Sequence, residues 1–342
     1  MQADTPPAET SAALMQLAGG LWISRAIWVA AHLRIADHID TAPVSIEDLA
    51  AATATRPDPL GRLLTALATV GVFDRDTEGR VSHTPISRLL RSDHPATQRA
   101  FIESVFGHEH YEAWGAIEGT LRTGVTAFDL HYGKPVFDWF GEHPATAALF
   151  GEAMTSVTLA TEEAVIAAHD FGAFTLAVDV GGSHGSLLRR LLAQAPEARG
   201  IVFDLPSTVA EGERMWQGTP EAARLSAMGG DFFQSVPAGG DLYLLKFILH
   251  DWTDQQSIAI LRNIRAAMKP DGTVAIIEMV LPDDPATRHP GRFMDLNMLV
   301  MTGGRERSAK DYAALLHEAG LTLRSVTPTA SPMSVITAGM VE

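Results

Sequence analysis

The chain of 342 residues contains no cysteine. That absence removes disulfides, a thiolate nucleophile and any cysteine-based metal site. Basic residues are scarce: 26 Lys and Arg stand against 41 Asp and Glu, a net charge of −15. Nucleic-acid affinity rests on neutralising phosphates, so a polyanionic partner is disfavoured. Long hydrophobic runs are missing as well. None approaches the ~18 residues of a membrane span, so no membrane partner is expected. Met1–Thr10 holds Asp4, Glu9 and two prolines with no basic cluster, which does not fit a signal peptide. What remains, 46% hydrophobic and 20% charged residues, is the composition of a globular chain long enough for two domains. A soluble, cytoplasmic protein is the expectation.

The stretch that organises the rest is Ala177–Leu188, A-V-D-V-G-G-S-H-G-S-L-L. A short apolar run meets a Gly-rich turn, and an apolar helix pattern follows. Gly181, Gly182 and Gly185 let the backbone turn sharply and approach a ligand. The helix that opens there offers unpaired N–H groups and a positive dipole end. A plain strand-to-helix turn would look the same. Asp204, 19 residues beyond Gly185 and after the apolar run Gly200–Phe203, adds weight. An acid at the end of the second strand of a βαβ unit is placed to accept hydrogen bonds from a ribose. A nucleoside cofactor site is the expectation.

Upstream, residues 11–39 carry a helical apolar pattern on more than one face, including Leu14, Leu17, Leu21, Trp22 and Trp28. Ser45–Asp48 resembles a capping box, and Pro57 opens a second helix with Leu60, Leu63, Leu64, Leu67 and Val70 on one side. Val72–Phe73 and Arg80–His83 then flank a polar turn, as in a β-hairpin. Two short helices and a hairpin make a winged-helix pattern. It suits either DNA or a structural role, but its reading helix has only Arg62 and the flanking Arg56. Packing against a second subunit is the expected use.

From Phe106 to His169 the pattern is helical and aromatic, broken at Pro135 and Pro144. Most of those rings are core; some suit a flat organic ligand. His108 and His110 would diverge on a helix, so no metal pair is expected there, nor any metal site elsewhere. From Phe174 onward strands alternate with helices: Leu176–Val180, Gly200–Phe203, Arg224–Ala227, Leu242–Phe247 and Thr273–Met279, with helices at Ser186–Gln194 and Asp254–Met268 among them. Such alternation implies parallel βαβ units. The last two runs, Leu321–Val326 and Met333–Met340, are too close for a parallel crossover and must be antiparallel.

Ligands of an open α/β sheet bind beyond the carboxyl ends of its strands. Those ends carry Asp204, Asp231, Lys246, His250-Asp251-Trp252 and Glu278. Singly each has a dull reading: Asp231 as a cap, His250 as a hydrogen-bonded loop histidine. Their convergence on one edge is what signals a site.

At this point the chain resembles a family. Val178-Asp179-Val180-Gly181-Gly182-x-x-Gly185, Phe203-Asp204-Leu205-Pro206, Gly229-Gly230-Asp231-Phe232, Lys246-x-x-x-His250-Asp251-Trp252-x-Asp254 and Gly303-Gly304-x-Glu306-Arg307 resemble, in order, motifs of the small-molecule O-methyltransferases. These are the caffeic-acid-type plant enzymes and their bacterial antibiotic- and phenazine-tailoring relatives. The resemblance implies an α/β fold. A Rossmann-like methyltransferase sheet, parallel with a final antiparallel strand, would follow an N-terminal, mostly helical winged-helix dimerisation domain. Residues 1–105 would form that domain and 106–342 the catalytic one, with 106–170 as a helical acceptor-pocket segment.

The resemblance further implies S-adenosylmethionine (SAM) as cofactor, S-adenosylhomocysteine as its product, and a homodimer acting on a small aromatic acceptor. Gly181, Gly182 and Gly185 would pack on the methionine end, and Asp204, with Leu205 after it, would bind the ribose. Asp231 would meet the adenine amino group, Phe232 and Trp252 would stack on the ring, and Lys246 would lie near it. His250 would be the general base, held by Glu278 and Glu306 with Asp251 beside it. Met154, Met298 and Asp129 would line the acceptor pocket. Ser183 stands where the family usually has a third glycine, and being small it is expected to leave the loop's shape intact; His184 is expected to be exposed or a cofactor neighbour. The same fold also serves N-methylation and SAM-dependent hydroxylation or decarboxylation, and a ligand-sensing winged-helix regulator is the non-enzymatic alternative.

Overall fold

The structure, a computed structural model, describes residues 8–341. By contact the chain groups into two units. One comprises the described residues up to Tyr111 with Pro144–Ser156; the other comprises Glu112–His143 and the residues from Val157 onward.

In the first unit, α1 (Ala8–Ala18) and α2 (Gly20–His32) precede α3 (Ile46–Ala52), α4 (Pro57–Thr69), β1 (Phe73–Arg75), β2 (Val81–His83), α5 (Pro85–Arg88) and α6 (Arg99–Val105). Ser45 starts α3 by accepting the Asp48 amide, and Pro57 sits at the first position of α4, where a missing N–H costs nothing. Leu60, Leu64 and Leu67 of α4 bury their side chains with Ile35, Leu49, Phe73 and Val81. Val70, expected on that face, is exposed at the end of the helix. The hairpin pairs Phe73 with His83 in antiparallel register.

Leu14, Met15, Leu17, Leu21 and Trp22 are exposed. The helical stretch Glu9–His32 is long and apolar enough, by length and composition, to cross a membrane. This corrects the expectation that no such stretch exists. Gln16, Ser24 and Arg25 divide it into short runs in the sequence, but helical continuity across Gly19 joins them.

A helical segment follows: α7 (His108–Gly115), α8 (Ile117–Thr123), α9 (Ala127–Tyr132), α10 (Val136–Glu142) and α11 (Pro144–Ala168). Phe128 and Val136 of α9 and α10 pack with Val300 and Met301 in the second unit's satellite core. The main sheet has seven strands in the order β10-β11-β7-β6-β3-β4-β5. They are β3 (Leu176–Val180), β4 (Arg199–Asp204), β5 (Leu225–Gly229), β6 (Leu242–Lys246), β7 (Thr273–Glu278), β10 (Leu321–Pro328) and β11 (Ser334–Met340), and a two-stranded sheet pairs β8 (Val280–Leu281) with β9 (Arg307–Ser308). β3 to β7 run parallel. β11 is antiparallel to both β7 and β10, as the short gap after Val326 requires.

Helices α12 (Ser186–Gln194), α13 (Pro206–Trp216), α14 (Asp254–Ala267), α15 (Gly291–Met301) and α16 (Ala309–Glu318) complete the unit. Leu187, Leu188, Leu191 and Leu192 of α12 are buried against the sheet, each contributing about 1.5–3 kcal/mol by leaving water. Capping boxes at Thr253/Gln256 and Ser308/Asp311 start α14 and α16. The fold therefore delivers five parallel strand ends to one edge.

Candidate active site

The loop after β3 is built by backbone geometry. Gly181 and Gly185 lie in the left-handed region, at φ +70° and +68°. A Cβ on Gly182 would stand 2.7 Å from Asp179 Oδ2, so only glycine lets the loop lie on that buried carboxylate. Ser183 is also left-handed, at φ +50°. The shape is kept, as expected, but at a cost of about 1–2 kcal/mol for a residue with a Cβ. Part of that is offset by its amide, which donates to Asp204 Oδ2 at 2.9 Å. His184 is not exposed: its side chain is 11% accessible, with Nε2 3.9 Å from Glu211.

Asp204 ends β4, and its other oxygen accepts the Leu205 amide at 2.7 Å. Burial raises its carboxyl, opposed by the Leu205 and Ser183 amides and by His184. The Leu205 side chain points to solvent, 56% exposed. Asp231, just past β5, accepts the Phe233 amide at 2.8 Å and Gln234 Nε2 at 3.2 Å, capping a turn. Phe232 and Phe233 meet Trp252 edge-on, with centroids 5.9 and 4.8 Å away, while Phe137 stacks on Trp252 at 5.5 Å. The structure thus gathers Asp231, Phe232 and Trp252 at one corner. Lys246 Nζ lies 3.8 Å from Glu162 Oε1, and Asp179 is close enough to act on its charge.

His250 sits in the turn after β6. Phe247 adopts φ +56° there, strained backbone of the kind that persists only when its surroundings hold it. Glu278, ending β7, supplies the hold: its Oε1 accepts the amides of Ile248 at 3.0 Å and His250 at 3.2 Å. Its other oxygen accepts the Tyr312 hydroxyl. The expected hold of Glu278 on His250 is therefore made through backbone amides; no hydrogen bond joins it to the imidazole among the described residues. Glu306 does reach the ring, with Oε1 2.8 Å from Nδ1. The approach depends on Gly304, where a Cβ would collide with the His250 carbonyl, and on the Arg305 amide donating to that carbonyl at 2.8 Å. Asp251 Oδ1 stands 3.8 Å from Nε2.

Burial disfavours the imidazolium, but Asp251, Glu306 and Glu278 outweigh it and push His250 up to about 10. Burial likewise lifts Asp251 to about 6 against the opposing pull of His250. It also raises Glu278, again opposed by His250. Asp129, on α9, is raised by burial and then by Asp138; α9 packs on α15, which carries the buried Met298. Met154, in the first half of α11, belongs to the other unit. No group of three or more metal-ligating side chains occurs among the described residues.

Sequence reasoning missed Glu162, Asp179 and Tyr312. Glu162 is fully buried on α11, and its signal in the sequence was faint, since it stands beside a second acid, Glu163, in the run Leu159–Ala168.

The residues fit an adenosyl amino acid. A glycine turn lies over a buried carboxylate, an acid ends β4, an aromatic corner sits beside Asp231, and Glu162 Oε1 is buried with no hydrogen-bond partner among the described residues. Comparison with known proteins agrees. Residues 114–322 match the O-methyltransferase domain and residues 15–93 the O-methyltransferase dimerisation domain. The phenazine O-methyltransferase PhzM of Lysobacter antibioticus is 40% identical over 329 residues, 96% of each chain. The crystal structure of LaPhzM superposes with a TM-score of 0.93 at 38% identity, covering 98% of this chain and 100% of that one. NcsB1, an O-methyltransferase from neocarzinostatin biosynthesis solved with SAM and 2-hydroxy-5-methyl naphthoic acid, gives 0.81 at 33% identity, covering 93% and 96%. The chain belongs to the O-methyltransferase family and is a SAM-dependent O-methyltransferase.

Proposed function

We propose that the protein methylates an aromatic hydroxyl of a small secondary metabolite, with His250 as the general base, and that it works as a homodimer. The observation that carries the base assignment is the pairing of Nδ1 with Glu306 at 2.8 Å, which leaves Nε2 as the ring nitrogen to meet an acceptor. SAM, when bound, supplies a methyl group already activated on a sulfonium. The chain's own work is then to bind, orient and deprotonate.

At about 10, His250 matches an ordinary phenol, near ~10. A proton shared between matched sites moves at little cost. The same match means that the unliganded ring holds its proton at neutral pH. The productive complex therefore carries one proton fewer than imidazolium plus phenol. Phenolate on imidazolium and phenol on imidazole have that same proton count, so either describes it. Its population rises with pH until the ring itself titrates.

Asp129 and Met298, on packed helices α9 and α15, are proposed to line the acceptor site; a flexible thioether suits flat, irregular ligands. The exposed apolar face of α1 and α2 supports a self-association role for the N-terminal unit. Light scattering at micromolar concentration should give twice the 36.7 kDa chain mass; a monomer would refute the dimer. Single-turnover rates of wild type and His250→Ala against phenols of graded pKa test the base. The variant's defect should shrink as acceptor pKa falls, and a uniform defect would refute the assignment.

A further inference from the structure

Beneath the glycine loop lies a second charged cluster that base chemistry at His250 does not use. Glu162 has no exposed side-chain surface. Its Oε2 accepts the hydroxyl of Ser186, the first residue of α12, at 2.9 Å, and lies 3.4 Å from Arg190 Nε. Oε1 has no hydrogen-bond partner among the described residues, and Lys246 Nζ is held off at 3.8 Å. Asp179 lies under Gly182 on the neighbouring strand. A buried carboxylate oxygen without a hydrogen-bond donor costs desolvation energy that a charge at 3.8 Å returns only in part. Burial accordingly raises Glu162, opposed first by Lys246, then by Ser186 and Arg190. The missing partner is a compact cation with N–H donors.

We propose that Glu162 Oε1 receives the α-ammonium of the cofactor's amino-acid end, and that Lys246, expected near the adenine, serves that same end from its place beside Glu162 and Asp179. Glu162 is thus a specificity determinant for the amino-acid part of the ligand rather than for its nucleoside. The inference rests on SAM binding at the loop Gly181–Gly185. Alternating charge fits a zwitterion better than a phosphate, because Glu162 and Asp179 would repel an anion seated on the same loop.

Calorimetry with three ligands tests this without turnover. S-adenosylhomocysteine carries the ammonium; its desamino analogue lacks only that group; 5′-methylthioadenosine lacks the whole amino-acid end. Glu162→Gln should weaken S-adenosylhomocysteine roughly 10–100-fold, the range of a lost charge-assisted hydrogen bond, and leave 5′-methylthioadenosine within about twofold. Wild type should bind the desamino analogue more weakly than S-adenosylhomocysteine by the same factor, a comparison that stands even if Glu162→Gln does not fold. Equal losses for S-adenosylhomocysteine and 5′-methylthioadenosine would make Glu162 merely structural and overturn the proposal. So would an unchanged S-adenosylhomocysteine affinity, or a wild type indifferent to the ammonium. A wild type that binds none of the three would overturn the cofactor reading, and the proposal with it.

Discussion

Asp241, at the amino end of β6, and Asp179 and Asp251, toward the carboxyl ends of the same sheet, are acids treated in opposite ways. Asp241 accepts the amides of Thr175 and Leu176 at 2.9–3.0 Å, the Thr175 hydroxyl at 2.6 Å and Lys269 Nζ at 3.1 Å. Burial opposes its charge, but these donors, led by the Thr175 hydroxyl, bring it down to about 2. At the other edge burial wins. Asp179 rises to about 7 and Asp251 to about 6, with Lys246 and His250 respectively as the leading opposing charges. A carboxylate saturated with donors is a fastener. Carboxylates left short of donors, each beside one cation, are held in readiness for something that arrives.

Variants at the two edges should fail in different ways. The largest effect belongs to the carboxyl edge. His250→Ala should slow the chemical step by about 10²–10⁴, roughly 3–5 kcal/mol, with S-adenosylhomocysteine affinity nearly intact in calorimetry. A wild-type rate on an unactivated phenol would remove the distinction between the edges. Asp241→Ala should do the reverse, lowering unfolding free energy by about 1.5–3 kcal/mol while single-turnover rates on folded protein stay close to wild type. The sign in pH follows from the depressed value. Asp241 stabilises the fold above its ordinary pKa, 3.8, and that contribution is lost as pH falls through about 2. Acid unfolding of Asp241→Ala should therefore be less steep between about pH 4 and 2 than that of wild type.

Glu306→Gln should cost about tenfold in rate, because the imidazole keeps a partner but loses a charge that raises it. Its clearer mark is a shift. The wild-type rate should climb with pH from neutrality toward about 10, and Glu306→Gln should reach its plateau earlier. Coincident pH profiles would place the titration elsewhere. The smallest effect is Ser183→Gly, expected to gain less than ~1 kcal/mol because relief of left-handed strain is partly offset by a more flexible unfolded chain. A loss of stability would mean the serine side chain contributes more than its backbone costs.

Much of this was legible in residue order. Ser186–Gln194 was bounded to the residue, because Gly185 opens that helix and its leucines repeat on one face. The antiparallel ending was legible because a few residues cannot cross a sheet. Glu306 beside His250 followed from motif resemblance alone; fifty-six positions separate them, and the collision that demands Gly304 exists only in three dimensions. Glu278 grasps amides, which every residue has and no letter advertises. Glu162 sits on a helix 14 residues before β3, and nothing in its neighbours' chemistry announces the loop above it. The strain at Ser183 was hidden for a related reason: size was legible, φ was not.

The placement of β11 carries a consequence for how the molecule is made. β10 precedes it in the chain, yet β10 is joined to the sheet through β11. The strand earlier in sequence must wait for the later one, and the β7–β11 pairing closes a loop of more than fifty residues before any ladder forms. In pulse-labelled refolding, amides of β10 should therefore gain protection no sooner than those of β11, and both should trail the β3–β4 pair, whose partners lie about twenty residues apart.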